Sequence, residues 1–241
     1  MERDVLFATE RAAGSDFAFD GETARVFDDM VVRSVPFYHE IQRMVVEMAT
    51  EFAVEHTNLY DLGCSTGTTL LALDGVIDPN VRFIGVDNSE TMLKKARAKL
   101  AEHGLTRPHE LRQADLHQKF AIDNTSVTIL LLTLQFVRPL HRPRVVQSIS
   151  RGLNEGGCLL VVEKVTVADT TLNRLFTKHH HAMKRRNGYS EMEIARKREA
   201  LENVLLPYRM EEYRELLLES GFRSCEEFFR WYNFAGFVAV K

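Results

Sequence analysis

Short apolar runs alternate along this chain with longer segments in which apolar residues recur every three or four positions. The short runs predict buried strands, and the longer segments predict helices that pack on a sheet. Such an alternation is typical of an α/β fold with a doubly wound parallel sheet. The predicted strands are 59–61, 81–86, 109–115, 126–133, 158–165, 224–229 and 234–241, of which the last is expected to be antiparallel.

The predicted helices fill the intervals between these strands. They cover residues 36–52, a segment from 68 onward, 89–103, 142–153 and 210–220. We expect a single domain over 1–241 with a helical cover at 1–57, because the chain is long enough to bury one large core.

Residues 166–210 break the alternation, because they have helical spacing where the next strand is due. Asn187-Gly188-Tyr189 predicts a break between two helices, and Ser190 with Glu193 has the spacing of a capping box at the start of the second. Insertions at this point of an α/β chain lie over the carboxyl ends of the strands, where ligands bind. We therefore expect this helical insertion to shape a substrate site.

Charge is distributed unevenly along the chain. The formal net charge is -3, yet residues 174–198 carry eight Lys or Arg side chains against two Glu, a local balance of +6. Such a patch is suited to a small polyanion or to RNA phosphates, or it forms a solvated helix face. Its cations are Arg174, Lys178, Lys184, Arg185, Arg186, Arg196, Lys197 and Arg198.

The cysteine pattern favours a reduced, cytoplasmic protein, because three cysteines lie far apart and form no C-x-x-C motif. No apolar run is long enough to predict a membrane span or a signal peptide. The histidines at 179–181 invite a metal interpretation. Adjacent helical side chains point about 100° apart, however, so we predict no metal site.

The segment 59–67 predicts a strand that runs directly into a glycine turn and a helix. Gly63 and Gly67 allow a tight turn and a close approach of the backbone to a ligand. The next strand ends in Asp87, where a carboxylate can accept both hydroxyls of a ribose. Only two glycines are present, so the G-x-G-x-x-G pattern of dinucleotide sites is absent. Asp61 would repel a pyrophosphate but could orient an ammonium group.

This arrangement resembles the cofactor site of class I S-adenosylmethionine-dependent methyltransferases, which have a Rossmann-like sheet of seven strands. From Asp4 to Phe234 the chain is also similar to the carboxy-S-adenosyl-L-methionine synthase family. The blocks that carry this resemblance are Phe27-Asp28-Asp29-Met30, Arg33-Ser34-Val35-Pro36-Phe37-Tyr38, Tyr60-Asp61-Leu62-Gly63-Cys64-Ser65, Asp87-Asn88-Ser89, Thr133-Leu134-Gln135-Phe136, Glu163-Lys164, Asn187-Gly188-Tyr189-Ser190-Glu191 and Lys197-Arg198.

The resemblance implies an enzyme that converts S-adenosylmethionine and prephenate into carboxy-S-adenosylmethionine and phenylpyruvate. In the family, this product supplies the carboxymethyl group for a modified uridine at the tRNA wobble position, and a partner enzyme contacts the tRNA. The resemblance therefore implies a homodimeric transferase with no direct tRNA binding, while the residues themselves predict no membrane association and no metal.

The resemblance also implies roles for individual residues. Tyr38 and Arg198 are the candidate catalytic residues, with Tyr38 near the methionine carboxylate or sulfonium. Arg198 would pair with the new carboxylate, in its own subunit or across a dimer. The implied S-adenosylmethionine-binding residues are Tyr38, Gly63, Cys64, Ser65, Asp87, Asn88, Asp115, Leu116, Leu131 and Arg198. Structural roles stay open for Tyr38, as a core side chain, and for Arg198, as a partner of Glu202. Glu163 and Lys164 lie at the end of the predicted fifth strand. Each is either a catalytic group or a member of a structural ion pair.

Three positions depart from the family pattern. Leu131 stands where the family has an asparagine, Phe37 where it has a glycine and Val162 where serine is common. Leucine cannot bind a carboxylate through an amide, so the product or second substrate could differ. Two alternatives remain: a methyltransferase that acts on a small carboxylic acid, and a non-catalytic S-adenosylmethionine-binding protein that docks RNA through residues 174–198.

Overall fold

A computed structural model describes residues 2–8 and 16–241. Seven strands form one sheet in the order β3-β2-β1-β4-β5-β8-β7, and an eighth, β6, pairs with the end of β5. Neighbours are parallel except that β8 runs antiparallel between β5 and β7. The strands are β1 Asn58–Leu62, β2 Arg82–Asp87, β3 His109–Gln113, β4 Thr125–Leu131, β5 Leu153–Thr166, β6 Tyr208–Arg209, β7 Ser224–Trp231 and β8 Phe234–Val240.

Helices cover both faces of this sheet, because side chains of successive strand residues point to opposite faces. Tyr60 and Leu62 belong to the core under α5 and α8. Leu59 belongs to the core under α2, α3 and α4. The helices are α1 Gly21–Ser34, α2 Tyr38–Phe52, α3 Thr68–Asp74, α4 Glu90–Glu102, α5 Arg142–Gly152, α6 Thr170–Arg186, α7 Glu191–Leu201 and α8 Met210–Glu219.

The predicted doubly wound sheet with an antiparallel last strand is confirmed. One local prediction was wrong. Residues 154–157 were expected to separate the helix 142–153 from the strand 158–165, but they belong to β5, because Leu153 already pairs with Thr125 before a register shift. The two-residue strand β6 had no counterpart in the pattern, since its pairing with Val165 and Thr166 depends on tertiary contacts.

The predicted break in the insertion is confirmed. The helix α6 ends at Arg186, Gly188 has a positive φ of 85°, and α7 begins at Glu191. Ser190 and Glu193 form the predicted capping box, with each side chain bonded to the other residue's backbone N–H. Within the described ranges, no helix combines the length and apolar character that crossing a membrane requires.

Candidate active site

A cavity of about 240 Å³ lies at the carboxyl ends of the parallel strands. It is lined by residues 17–38 around α1, the ends of β1, β2 and β4 with the loops after β1 to β4, Lys164 of β5, Phe234 of β8, and the insertion. Nine of the ten predicted binding residues line this cavity, which brings together side chains more than 90 positions apart. These nine are Tyr38, Gly63, Cys64, Ser65, Asp87, Asn88, Asp115, Leu116 and Leu131.

The glycine turn leaves no room for a side chain at Gly63. Its φ is 82°, and a Cβ atom built there would lie 2.2 Å from the Thr133 Oγ1 atom. The backbone amides of Gly63 and Cys64 donate to the Val86 carbonyl, at 2.7 and 3.0 Å. Glycine is therefore required both by the backbone conformation and by the approach of the loop after β4.

Asp61 and Asp87 differ in how their oxygens are satisfied. The Asp87 carboxylate accepts hydrogen bonds from the backbone amides of Ser65, at 3.0 Å, and Ser89, at 2.9 Å. Asp61 is 1% exposed, and its Oδ2 atom has no hydrogen-bond partner among the described residues. Burial, followed by the charge of Asp87, raises the pKa of Asp61 to about 7. A carboxylate with an unpartnered oxygen at the cavity wall is suited to an ammonium group.

Tyr38 presents a hydroxyl proton to the cavity. Its oxygen accepts a hydrogen bond from Gln42 Nε2 at 2.9 Å, so the hydroxyl hydrogen is free to donate to a ligand. Burial raises the pKa of Tyr38 to about 12 and keeps the phenol protonated. The side chain is 8% exposed and also packs in the core, so it has a structural role beside any role in binding.

The residues predicted to receive the adenine, Asp115 and Leu116, lie after β3. Burial raises the pKa of Asp115, but hydrogen bonds from the His117 backbone and ring outweigh it, and the pKa is lowered. The ring donates from Nδ1 at 2.8 Å, because its Nε2 accepts from the Arg138 amide. Gln113 donates to the Asn88 carbonyl at 3.1 Å and fixes the neighbouring loop.

Glu163 holds the loop that follows β4. Its carboxylate is fully buried and accepts backbone N–H bonds from Thr133 at 3.0 Å, Leu134 at 2.6 Å and Gln135 at 3.2 Å. Burial raises the pKa of Glu163 to about 8, against the opposite effect of these amides. Glu163 does not line the cavity, so its position favours the structural alternative over the catalytic one.

Arg198 lies outside the cavity. Its side chain is exposed and does not belong to the lining residues of its own subunit. The neighbouring Lys197 faces inward instead, together with Lys184 and Lys164. The sequence showed Lys184 and Lys197 as members of a basic patch, and Lys197 also within a block of the family resemblance, without indicating that they face the cavity. Contact of Arg198 with the ligand therefore stays a prediction that requires a second subunit.

The histidine triplet is not arranged around a common point. His179 stacks on Tyr232 with ring centroids 4.9 Å apart, whereas His180 donates from Nε2 to the Ser34 carbonyl at 2.8 Å. Across 2–8 and 16–241, no three His, Cys, Asp or Glu side chains come together in a way that could hold a metal ion.

Sequence reasoning also missed Asp28, which links α1 to the glycine turn. The Asp28 carboxylate accepts from Thr66 Oγ1 at 2.5 Å and pairs with Lys99 at 2.9 Å. Its only sequence signal was its place in a block of the family resemblance. These contacts hold α1, part of the N-terminal helical cover, over the glycine turn.

Residues 59–157 match a family model described as a methyltransferase domain. Two solved structures have the same fold. An S-adenosylmethionine-dependent methyltransferase from Aquifex aeolicus has a TM-score of 0.61 at 16% identity, covering 92% of this chain and 98% of that one. Human N-acetylserotonin methyltransferase has a TM-score of 0.60 at 15% identity, covering 92% of this chain and 55% of that one. The fold is that of class I methyltransferases.

Two relatives are similar over the whole chain. A carboxy-S-adenosyl-L-methionine synthase of Methylococcus capsulatus is 52% identical over 242 residues and covers 100% of both chains. One from Desulfotalea psychrophila is 41% identical, covering 100% of this chain and 98% of its own. The chain belongs to the carboxy-S-adenosyl-L-methionine synthase family. The resemblance found in the sequence is confirmed, as is the expectation of a transferase that uses S-adenosylmethionine.

Proposed function

We propose that this enzyme converts S-adenosylmethionine and prephenate into carboxy-S-adenosylmethionine and phenylpyruvate, in the pathway that modifies the tRNA wobble uridine. The distribution of charge along the cavity supports this function. Its carboxylates, Asp61, Asp87 and Asp115, come from β1, β2 and the loop after β3. Its lysines come from β5 and the insertion, on the far side of β4. One end therefore suits a cationic, ribose-bearing ligand and the other suits an anion.

S-adenosylmethionine would supply a methyl group activated by a positive sulfur. Asp61 would bind its ammonium group, and the Tyr38 hydroxyl would donate to its carboxylate. Asp87 and Asn88 would hold the ribose, and Asp115 and Leu116 would receive the adenine. Gly63, Cys64 and Ser65 would form the wall along the methionine part. These assignments use the nine lining residues in the roles that the family resemblance implies.

The proposed reaction balances without an oxidant or a further reactant. Prephenate loses its ring carboxylate as carbon dioxide, and the electron pair left behind expels the ring hydroxide to give phenylpyruvate. The methyl group loses a proton, and its electron pair forms the new bond to carbon dioxide. Proton and hydroxide together make water. Bulk water must be excluded while carbon dioxide is free, and the aromatic and aliphatic lining of the cavity serves this purpose.

Leu131 favours a second candidate, an ordinary methyltransferase that acts on a small carboxylic acid. It lines the cavity between the two charged ends, where a family asparagine could bind a carboxylate. A methyltransferase reaction does not need that amide, because the second substrate only has to place its acceptor atom near the methyl group of S-adenosylmethionine. The two candidates predict different products from the same ligands.

A role in RNA docking has less support. Of the eight cations in 174–198, Lys184 and Lys197 line the cavity, and Arg196 donates to the carbonyls of Phe7 and Ala8. This partition supports our proposal that the enzyme has no direct tRNA contact. We also propose a homodimer, since Arg198 is exposed and does not line the cavity of its own subunit. A cytosolic location suits the three buried free cysteines.

Mass spectrometry of the sulfonium product tests the proposal. The enzyme is incubated with S-adenosylmethionine, with and without prephenate. A prephenate-dependent sulfonium, heavier by the mass of carbon dioxide, is expected together with phenylpyruvate. S-adenosylmethionine recovered unchanged in both reactions would contradict the synthase function. S-adenosylhomocysteine formed with a small carboxylic acid would point to the methyltransferase. Binding without turnover, with RNA affinity that falls steeply with salt, would point to the RNA-docking protein.

A further inference from the structure

Lys164, Lys184 and Lys197 come from three different elements and line the same end of the cavity. Lys164 lies in β5, Lys184 in α6 and Lys197 in α7. We propose that this lysine cluster is the binding site for the second substrate, and that the substrate it selects carries two carboxylates. The inference rests on the proposed function and assigns the site of the second substrate to these residues, whereas Arg198 keeps its predicted role with the new carboxylate of the product.

Only one of the three lysines has a carboxylate partner among the described residues. Lys197 Nζ lies 3.7 Å from Asp4 Oδ2 and 3.0 Å from Ser34 Oγ. Asp4 is itself engaged, because it also accepts a hydrogen bond from the Tyr189 hydroxyl. Within residues 2–8 and 16–241, the Lys164 and Lys184 side chains make no hydrogen bond or ion pair. Two ammonium groups are thus left for a ligand to satisfy.

The lysines also act on one another. Burial lowers the pKa of Lys184 well below its usual range, and the charges of Lys197 and Lys164 lower it further, against a smaller opposite effect of Asp4. Burial lowers the pKa of Lys197 to about 8, although Asp4 acts in the opposite direction. Three partly or fully buried cations with a single carboxylate, Asp4, among them are costly, and proteins retain such groups where a ligand supplies further negative charge. A dianion would balance the two unpartnered lysines.

His180 adds no charge to the lysine end of the cavity. Its Nε2–H donates to the Ser34 carbonyl, and burial together with Lys184 lowers its pKa well below the usual value. The ring is therefore neutral. The acidic residues that line the cavity all lie on the other side of β4, so they serve the cationic ligand. The lysine end is left with its positive charge.

The test compares three single variants with the wild-type enzyme: Lys184→Met, Lys164→Met and Lys178→Met. Lys178 is the matched control, because it is an exposed cation on the same helix as Lys184 and does not line the cavity. Both cavity variants are expected to raise the KM for prephenate by about 10- to 100-fold, the loss of one charge-assisted hydrogen bond. Affinity for S-adenosylmethionine, measured by calorimetry, is expected to stay within about twofold.

Stability separates a ligand site from a structural role. Replacement of a half-buried ammonium group that has no carboxylate partner by methionine is expected to raise the Tm of Lys184→Met. Lys197→Met is expected to lower the Tm, because it leaves the buried Asp4 without its cation. A lower Tm for Lys184→Met would show that the lysine stabilises the fold and would overturn the proposal. Lys184→Gln is a second variant for the same comparison, because it also removes the charge and keeps an unbranched side chain.

Binding of a dianion that is not a substrate tests the lysine site without any measurement of catalysis. Malonate is expected to raise the Tm of the wild type more than acetate does at equal ionic strength, and Lys184→Met is expected to lose that difference. Equal effects of the two anions, or equal losses of S-adenosylmethionine and prephenate affinity in the cavity variants, would overturn the lysine site. Failure of the wild type to carboxylate S-adenosylmethionine would overturn the proposed function, while the malonate result would still report on the dianion site.

Discussion

Asp61 in β1 lies beside Asp87 at the end of β2, and the charge of Asp87 adds to burial in raising the pKa of Asp61 to about 7. The two carboxylates are satisfied differently. Backbone amides bind Asp87, whereas one oxygen of Asp61 has no partner in the described residues. The electrostatic cost of this pair is compensated when a cationic ligand reaches Asp61.

We therefore expect S-adenosylmethionine affinity to depend on the ionisation of Asp61. The ammonium group of the ligand binds the ionised form of Asp61. At a pH below the Asp61 pKa of about 7, the side chain must therefore lose a proton before the ligand binds. The Kd should then rise about tenfold for each pH unit below that value. Asp61→Asn should weaken binding and flatten this profile, as measured by calorimetry from pH 5 to 8. An Asn variant that keeps the wild-type slope would contradict the assignment.

The same substitution is expected to stabilise the ligand-free protein at pH 8. The folded pKa of Asp61 is raised above its unfolded value near 4, so its ionisation destabilises the folded state increasingly as pH rises from about 4 to 7. Asparagine has no charge to bury. Denaturant unfolding at pH 8 measures the effect, with Glu155→Gln as the exposed control.

Glu163→Gln should lower the free energy of unfolding by about 1–3 kcal/mol. The glutamine NH₂ group would face a backbone N–H of the 133–135 segment, so at least one amide loses its acceptor. Urea unfolding checks this value, and Glu226→Gln is a control on an exposed side chain. Equal stability of Glu163→Gln and the wild type would mean that these amides do not depend on the carboxylate.

Phe37→Gly should raise the free energy of unfolding by about 0.5–1 kcal/mol. Phe37 has a φ of 51° and is 63% exposed, so it has a left-handed backbone with little burial of its ring to compensate. Glycine removes the steric cost but adds chain entropy to the unfolded state. Phe37→Ala is the matched control, because it deletes the ring and keeps the strained Cβ. A gain in both variants would assign the effect to the exposed ring.

Arg198→Ala should spare S-adenosylmethionine binding and abolish retention of the carboxylated product. Arg198 is exposed and lies outside the cavity of its own subunit, so the ligand contact would have to cross a dimer. Mixed dimers of Arg198→Ala and Asp61→Asn would then contain one site with both native residues. Activity should reappear on mixing. A mixture as inactive as its components would exclude a role across the subunits.

The local parts of the site were predictable from the sequence. Gly63 and Asp87 could be assigned because a strand, a tight turn and a helix N-terminus follow one another within a few residues. The capping box of Ser190 and Glu193 likewise predicted where α7 begins. These features depend on neighbouring positions in the chain and not on how distant elements pack.

The lysine end could not be predicted in this way. Lys197 and Arg198 are adjacent, and a rotation of about 100° between successive helical residues decides which one faces the cavity. That rotation is set by how α7 packs, and the helical periodicity of its sequence is weak. Lys164 joins the cluster only through the sheet order, which no local pattern contains.

The hydrogen bond between Tyr189 and Asp4 spans 185 positions of the chain. Contacts of such long range cost much chain entropy and form late, whereas the turn at Gly63 and the strand that ends at Asp87 are close in sequence. We therefore expect the end of the cavity around Gly63 and Asp87 to assemble early in folding, before the lysine end. The contact of Asp4 with Tyr189 is expected to form last, and the lysine end is expected to be the first part of the native protein to open.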